Sequence, residues 1–134
     1  MKVRILLVDE RNDARSTLAD RLRRGSRLEL IGAASDLDEA ADLLAAAEPD
    51  IVLLDLHHGD RKGVALCRGL RRLTEAPVVA LTSFMTPQLW EEAKAAGVAD
   101  YLLKHVDTDR LSLDMVRLAA RHRRETATAP DSSA

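Results

Sequence analysis

The chain has 134 residues, of which 46% are hydrophobic and 31% charged, with a formal net charge of -2. That length fits one domain around one core, and the balance is that of a soluble globular chain, not of a disordered or membrane chain. The near-neutral charge gives no whole-molecule attraction to nucleic acid or acidic lipid, and the single cysteine, Cys67, leaves neither an internal disulfide nor a multi-thiolate metal site.

The first apolar stretch, Ile5 to Val8, is closed by Asp9. It is too short for a signal peptide or a membrane span. Five strand-like runs then alternate with helical patterns: 3–8, 28–33, 51–54, 78–81 and 101–103. Several are continuously apolar, the pattern of a parallel strand covered on both faces. Between them Leu37, Ala41 and Leu44 recur at helical spacing, as do Leu66, Leu70 and Leu73, and then Leu89, Ala93 and Ala96. Asp36 with Glu39 forms a capping-box pattern, Thr86-Pro87 a helix start and Gly97 a helix end.

The last helix is expected from about Thr108 to Arg124, which gives a domain over 1–124 and a disordered tail over 125–134, rich in Ala, Ser, Thr and Pro. Leu111, Met115, Leu118 and His122 form one stripe of that helix, facing the sheet. Leu113, Val116 and Ala120 form a second on the opposite side, read either as a dimer or partner surface or as small apolar residues tolerated in solvent. The arginines at 110, 117, 121, 123 and 124 read as a solvated face, since no nucleic-acid recognition motif accompanies them.

Repeated strand–helix units imply an α/β fold, a doubly wound parallel sheet with helices on both faces. Ligands of such sheets bind at the carboxyl ends of the strands. Asp9 and Glu10 follow the first run, Asp55 the third, Thr82 and Ser83 the fourth, and Lys104 the fifth. Singly, each is a turn residue, a cap or a strand former. Together they place three carboxylates, a hydroxyl and an ammonium at one edge. Like charges gathered in a cleft call for a compensating ion, and an oxygen-only donor set suits Mg²⁺, with Mn²⁺ as the alternative. An aspartate there could attack phosphorus and form an aspartyl phosphate.

The stretches ILLVDE, DIVLLDL, VVALTS and DYLLK, in this order and spacing, resemble the response-regulator receiver family of two-component phosphorelays over residues 2 to about 122. The resemblance implies a flavodoxin-like five-stranded sheet of order 2-1-3-4-5. It implies Asp55 as the phosphorylated residue. Asp9, Glu10, Asp55 and the backbone carbonyl of His57 would hold Mg²⁺, and Thr82, Tyr101 and Lys104 would be the switch hydroxyl, the switch aromatic and the conserved-type lysine. Gly63 matches the glycine that closes the loop after the acceptor. His57 and Phe84 stand where family members border the path of the hydrolytic water, so two bulky rings there imply slow dephosphorylation.

The donor would be a histidine kinase or phosphotransfer protein, in the cytoplasm, and the chain a switch assisting its own phosphorylation and dephosphorylation, not an enzyme in the usual sense. LTSF, and DYLLK without a following proline, look similar to receivers of helix-turn-helix regulators of the nitrate- and quorum-sensing type, so the chain reads as a stand-alone receiver or one cut from a longer regulator. Glu10 replaces the usual Asp, the loop after Asp55 lacks the usual Met-Pro, and His105 stands where proline is frequent. A trans Lys104–His105 bond is therefore expected.

Those departures support a rival, an unphosphorylated pseudo-receiver acting as a binding scaffold. A zinc site at His57 and His58 lacks further ligands. A cobalamin motif has its glycine misplaced, and a flavodoxin phosphate loop is excluded by the acidic turn after the first strand. Trp90, on the flank of its helix, is either a partner-binding anchor or a lid on the core.

Overall fold

The computed structural model describes residues 2–56 and 61–128. In chain order it contains β1 (Val3–Val8), α1 (Asn12–Arg23), β2 (Leu28–Ala34), α2 (Leu37–Ala46), β3 (Ile51–Asp55), α3 (Arg61–Leu73), β4 (Val78–Thr82), α4 (Pro87–Ala96), β5 (Val98–Leu103) and α5 (Thr108–Thr128). The five strands form one parallel sheet of order β2-β1-β3-β4-β5, as the sequence predicts.

Alternation along the strands sorts the core into two layers. Val3, Ile5, Leu7, Ile51, Leu53, Val79 and Leu81 point to the face covered by α1 and α5. Leu6, Val8, Val52, Leu54, Val78 and Ala80 point to the face covered by α2, α3 and α4. The three central strands are covered on both faces, which is why their sequences are continuously apolar, while the edge strands β2 and β5 are only partly buried.

The local signals for helix ends hold. The Asp36 carboxylate accepts the Glu39 amide at 2.8 Å, and Glu39 reaches back to Ser35, accepting its amide at 3.1 Å and its hydroxyl at 2.6 Å. Thr86 Oγ1 accepts the Leu89 amide at 3.1 Å. Gly97 ends α4 in the left-handed conformation, φ 106°, with the Arg71 side chain packed where a Cβ would stand. Among the described residues there is no cis peptide bond, so Lys104–His105 is trans, and no helix is long and apolar enough to cross a membrane.

Several expectations about helix faces and element ends are corrected. β5 begins at Val98, three residues before the expected run, because Val98 pairs with Val78 and is buried. α5 extends through Thr128, past the expected end at Arg124. On α3 the buried line is Gly63, Cys67 and Leu70, and Leu73 is 42% exposed on its flank. On α2 the fully buried residue is Ala40, with Leu37, Ala41 and Leu44 around it. On α5 the buried line is Leu111, Ser112, Met115 and Ala119. Leu118 and Val116 flank that line on either side and both pack against the core, so Val116 leaves the outward stripe, and Leu113 is its main exposed member at 37%. A rotation of the helix by a few tens of degrees from the hydrophobic average is enough to produce this exchange.

Candidate functional site

The carboxyl ends of β1, β3, β4 and β5 bring Asp9, Asp55, Thr82 and Lys104 to one edge of the sheet. Asp9, Asp55 and Thr82 are 1%, 4% and 1% exposed, an extreme burial for two carboxylic acids. Asp9 is fixed from several sides. Its amide donates to Ala34 O at 3.0 Å, its Oδ1 accepts the Arg11 amide at 3.0 Å, and its carbonyl accepts from the Arg15 guanidinium at 2.8 Å. Asp55 closes β3 in register with Leu81, and the next amide, Leu56, donates to Leu81 O at 2.9 Å. Lys104 is tied to β4 through its own amide, which donates to Thr82 O at 2.9 Å. Its ammonium lies 2.6 Å from Asp55 Oδ1.

Burial pushes the Asp9 carboxyl up to about 7, reinforced by the hydrogen bond and negative charge of Asp55 and opposed by the Arg11 amide and the Lys104 ammonium. The two acids therefore share one desolvated cleft with the Lys104 ammonium. This fits a small hard cation such as Mg²⁺, which takes one or two carboxylates and keeps its waters. Glu10, beside Asp9 in sequence, is exposed, and among the described residues no three His, Cys, Asp or Glu side chains gather as a ligand set. The backbone carbonyl and side chain of His57 lie outside the described residues.

The remaining expected residues have definite positions. Thr82 Oγ1 donates to the carbonyl of Phe84 at 3.0 Å, so its hydroxyl is engaged along the β4–α4 connection. Phe84 is 49% exposed. Tyr101 packs against Trp90, and both join the core cluster under α4 as partly buried residues. Ala120 and Leu113 lie on α5 with no role in this edge. Cys67 is not a reactive thiol: it is buried, donates to Ala96 O at 3.5 Å, and burial pushes its thiol up to about 11.

One contributor escaped the sequence reading. Arg21 of α1 crosses to the β5–α5 loop. Its Nη1 donates to Lys104 O at 3.1 Å, its Nη2 to Val106 O, and its Nε to Thr108 Oγ1 at 3.2 Å. A cleft of about 350 Å³ opens there, lined by Asp13, Ala14, Thr17, Leu18, Arg21, Asp55 and Lys104. An arginine on an amphipathic helix carries no local signal for such a contact.

The edge thus presents an aspartate beside a lysine and a second buried acid at the carboxyl ends of a doubly wound parallel sheet. The family model for the response regulator receiver domain matches residues 5–116, and the chain belongs to that family. It is 34% identical over 119 residues to an uncharacterized response regulatory protein of Vibrio cholerae, covering 89% of this chain and 49% of that protein. It is 32% identical over 105 residues to the DNA-binding transcriptional activator DevR/DosR of Mycobacterium tuberculosis, covering 78% of this chain and 48% of the relative. Among solved structures, the receiver domain of the putative response regulator NarL from Mycobacterium tuberculosis superimposes with a TM-score of 0.72 at 23% identity, over 89% of this chain and 97% of that one, and so shares the fold. The chain spans about half the length of the curated relatives it matches.

Proposed function

We propose that Asp55 accepts a phosphoryl group from a histidine kinase or phosphotransfer protein and that the chain is the cytoplasmic switch of a two-component pathway. The observation that carries this reading is the Lys104 ammonium 2.6 Å from Asp55 Oδ1, beside the buried Asp9. In the reaction an Asp55 oxygen attacks phosphorus, the phosphorus–nitrogen bond of the donor phosphoimidazole breaks, and the electron pair stays on the ring nitrogen, which takes a proton. Lys104 is placed to exchange its partner from the free carboxylate to a phosphoryl oxygen. Asp9, Asp55, Glu10 and the His57 carbonyl are the residues that would hold Mg²⁺, or Mn²⁺ in its place; the cation supplies charge neutralisation for the transferring group.

The switch would act through Thr82. A new phosphoryl oxygen competes with Phe84 O for its hydroxyl, and the change would pass along the β4–α4 connection to Tyr101, whose edge-to-face contact with Trp90 links β5 to α4. Leu113, exposed on α5, offers a contact for a second copy or an output module. Incubating the protein with a small acyl phosphate and Mg²⁺ and weighing it tests the reading. One phosphoryl adduct on the wild type and none on Asp55→Asn supports it. No adduct on the wild type would return the chain to the scaffold class.

A further inference from the structure

We propose that Arg21 is the positioning residue of Lys104, holding the strand-end backbone so that the ammonium reaches the acceptor carboxylate; the inference rests on the reading of Asp55 as phosphoacceptor. Lys104 stands at the start of the β5–α5 loop, on four flexible methylenes, and its reach depends on where its backbone is held. The amide side is tied to β4 through Thr82 O at 2.9 Å. The carbonyl side is tied to α1 through Arg21 Nη1 at 3.1 Å. The same guanidinium takes the Val106 carbonyl and, at 3.2 Å, the Thr108 hydroxyl at the start of α5. One planar fork thus fixes three acceptors spread over five residues, 104 to 108.

Asp107 caps the far end of the loop, its Oδ1 accepting the Arg110 amide at 2.7 Å, but that contact lies three residues beyond Lys104. Lys104 is followed by His105, so no proline ring restricts the backbone at this point. The loop is bridged from α1 at a sequence separation of 83 to 87 residues, by a partly buried side chain that also walls the cleft containing Asp55 and Lys104. Lysine cannot substitute, because a single ammonium has neither the planar fork nor the reach to hold the same three acceptors. The Arg21 guanidinium bonds to Lys104, Val106 and Thr108 and not to the acceptor carboxylate, so its effect passes through Lys104.

The test is a double-mutant cycle of Arg21→Lys and Lys104→Ala, read as the rate of adduct formation with a small acyl phosphate at saturating Mg²⁺. Arg21→Lys should slow the wild type by about tenfold, as expected for a misplaced catalytic contact, and in a separate Mg²⁺ titration leave the midpoint unchanged. In the Lys104→Ala background it should have no further effect. An equal slowing in both backgrounds, or no slowing in either, overturns the proposal.

A second measurement does not need phosphoryl transfer. Acetylation of Lys104 by a limiting acylating reagent, mapped by mass spectrometry, should rise several-fold in Arg21→Lys with the exposed Lys2 as internal control. Unchanged Lys104 labelling overturns the proposal even if the wild type takes up no phosphoryl group, an outcome that on its own counts only against Asp55 as acceptor. Arg21→Gln, neutral and shorter, serves for the same two readouts if Arg21→Lys does not fold.

Discussion

The rings of Tyr101 and Trp90 meet edge to face, with centroids 5.2 Å apart and planes inclined at 62°, and the Lys94 ammonium stands 5.5 Å from the Trp90 centroid. Trp90 is therefore engaged with the β5 aromatic and with its own helix, which favours the lid over the free anchor as the state of the ring in this structure. Edge-to-face pairs contribute about 0.5–1.5 kcal/mol beyond the area they bury. Tyr101→Leu should lower stability by at least that amount in urea unfolding and shift the emission of Trp90, the sole tryptophan, to the red. Phosphorylation should move the same emission in wild type; emission indifferent to both changes would show that the pair is not a relay.

Stability should depend on pH through Asp9. Its folded-state pKa is raised from 3.8 to about 7, so between those values the folded protein holds a proton that the unfolded chain has lost. Stability contributed by this group is full below about pH 4, falls as pH rises, and is exhausted above about pH 7. The slope from one such proton is at most about 1.4 kcal/mol per pH unit. Melting curves across this range, without metal, should show Asp9→Asn gaining on wild type as pH rises. Parallel curves would mean that the acid is not held neutral.

Millimolar Mg²⁺ should raise the melting temperature of wild type near neutral pH and leave Asp9→Asn nearly unmoved. A cation that binds only the folded form adds about 2.7 kcal/mol at a hundredfold excess over its dissociation constant. Asp55→Asn is the subtler variant. It relieves Asp9 of a like charge but also removes the partner of the Lys104 ammonium, so its metal-free gain should be smaller than that of Asp9→Asn. Melting curves of the three proteins, each with and without millimolar Mg²⁺, settle the order.

Removing the Phe84 ring should speed loss of the phosphoryl group several-fold. The expectation comes from the bulk of a half-exposed ring next to the site and from the need for in-line approach of water. Phe84→Ala is a clean change, because Thr82 bonds to the backbone carbonyl of Phe84, which the substitution retains. Decay of the phosphoryl mass after removal of donor gives the rate, and an unchanged rate argues against shielding.

A stability test away from the site concerns the contact between the α1–β2 turn and α5. The Ser112 hydroxyl is buried without a hydrogen-bond partner among the described residues, and a Cβ on Gly25 would stand 2.6 Å from it and 3.0 Å from Leu28 Cδ1. Ser112→Ala should be stabilising by about 1 kcal/mol, since it removes a desolvated hydroxyl. Gly25→Ala should cost about 1–3 kcal/mol by overpacking, and less when Ser112 is already alanine. Urea midpoints of the three variants check the coupling, and strict additivity would remove Ser112 as the obstacle.

The sequence by itself determined the sheet and the edge that matters. Continuous apolar runs named the buried central strands, the alternation with helical patterns implied parallel pairing, and the residues closing those runs, Asp9, Asp55, Thr82 and Lys104, necessarily emerge together once the strands are parallel. Caps at Asp36, Thr86 and Gly97 were readable because a cap is a contact within four residues. What only the tertiary structure decided are the choices among orientations that local spacing leaves equal. Val116 turns to the core and Leu113 to solvent because α5 rolls slightly on the sheet. The Thr82 hydroxyl selects the Phe84 carbonyl, and Tyr101 selects Trp90 from the next element. Glu10 stays exposed while Asp9 is buried, since successive side chains at a strand end leave on different sides. Arg21 reaches Lys104 across more than eighty residues, a contact that depends on how two helices and a loop are packed and has no counterpart in any local periodicity.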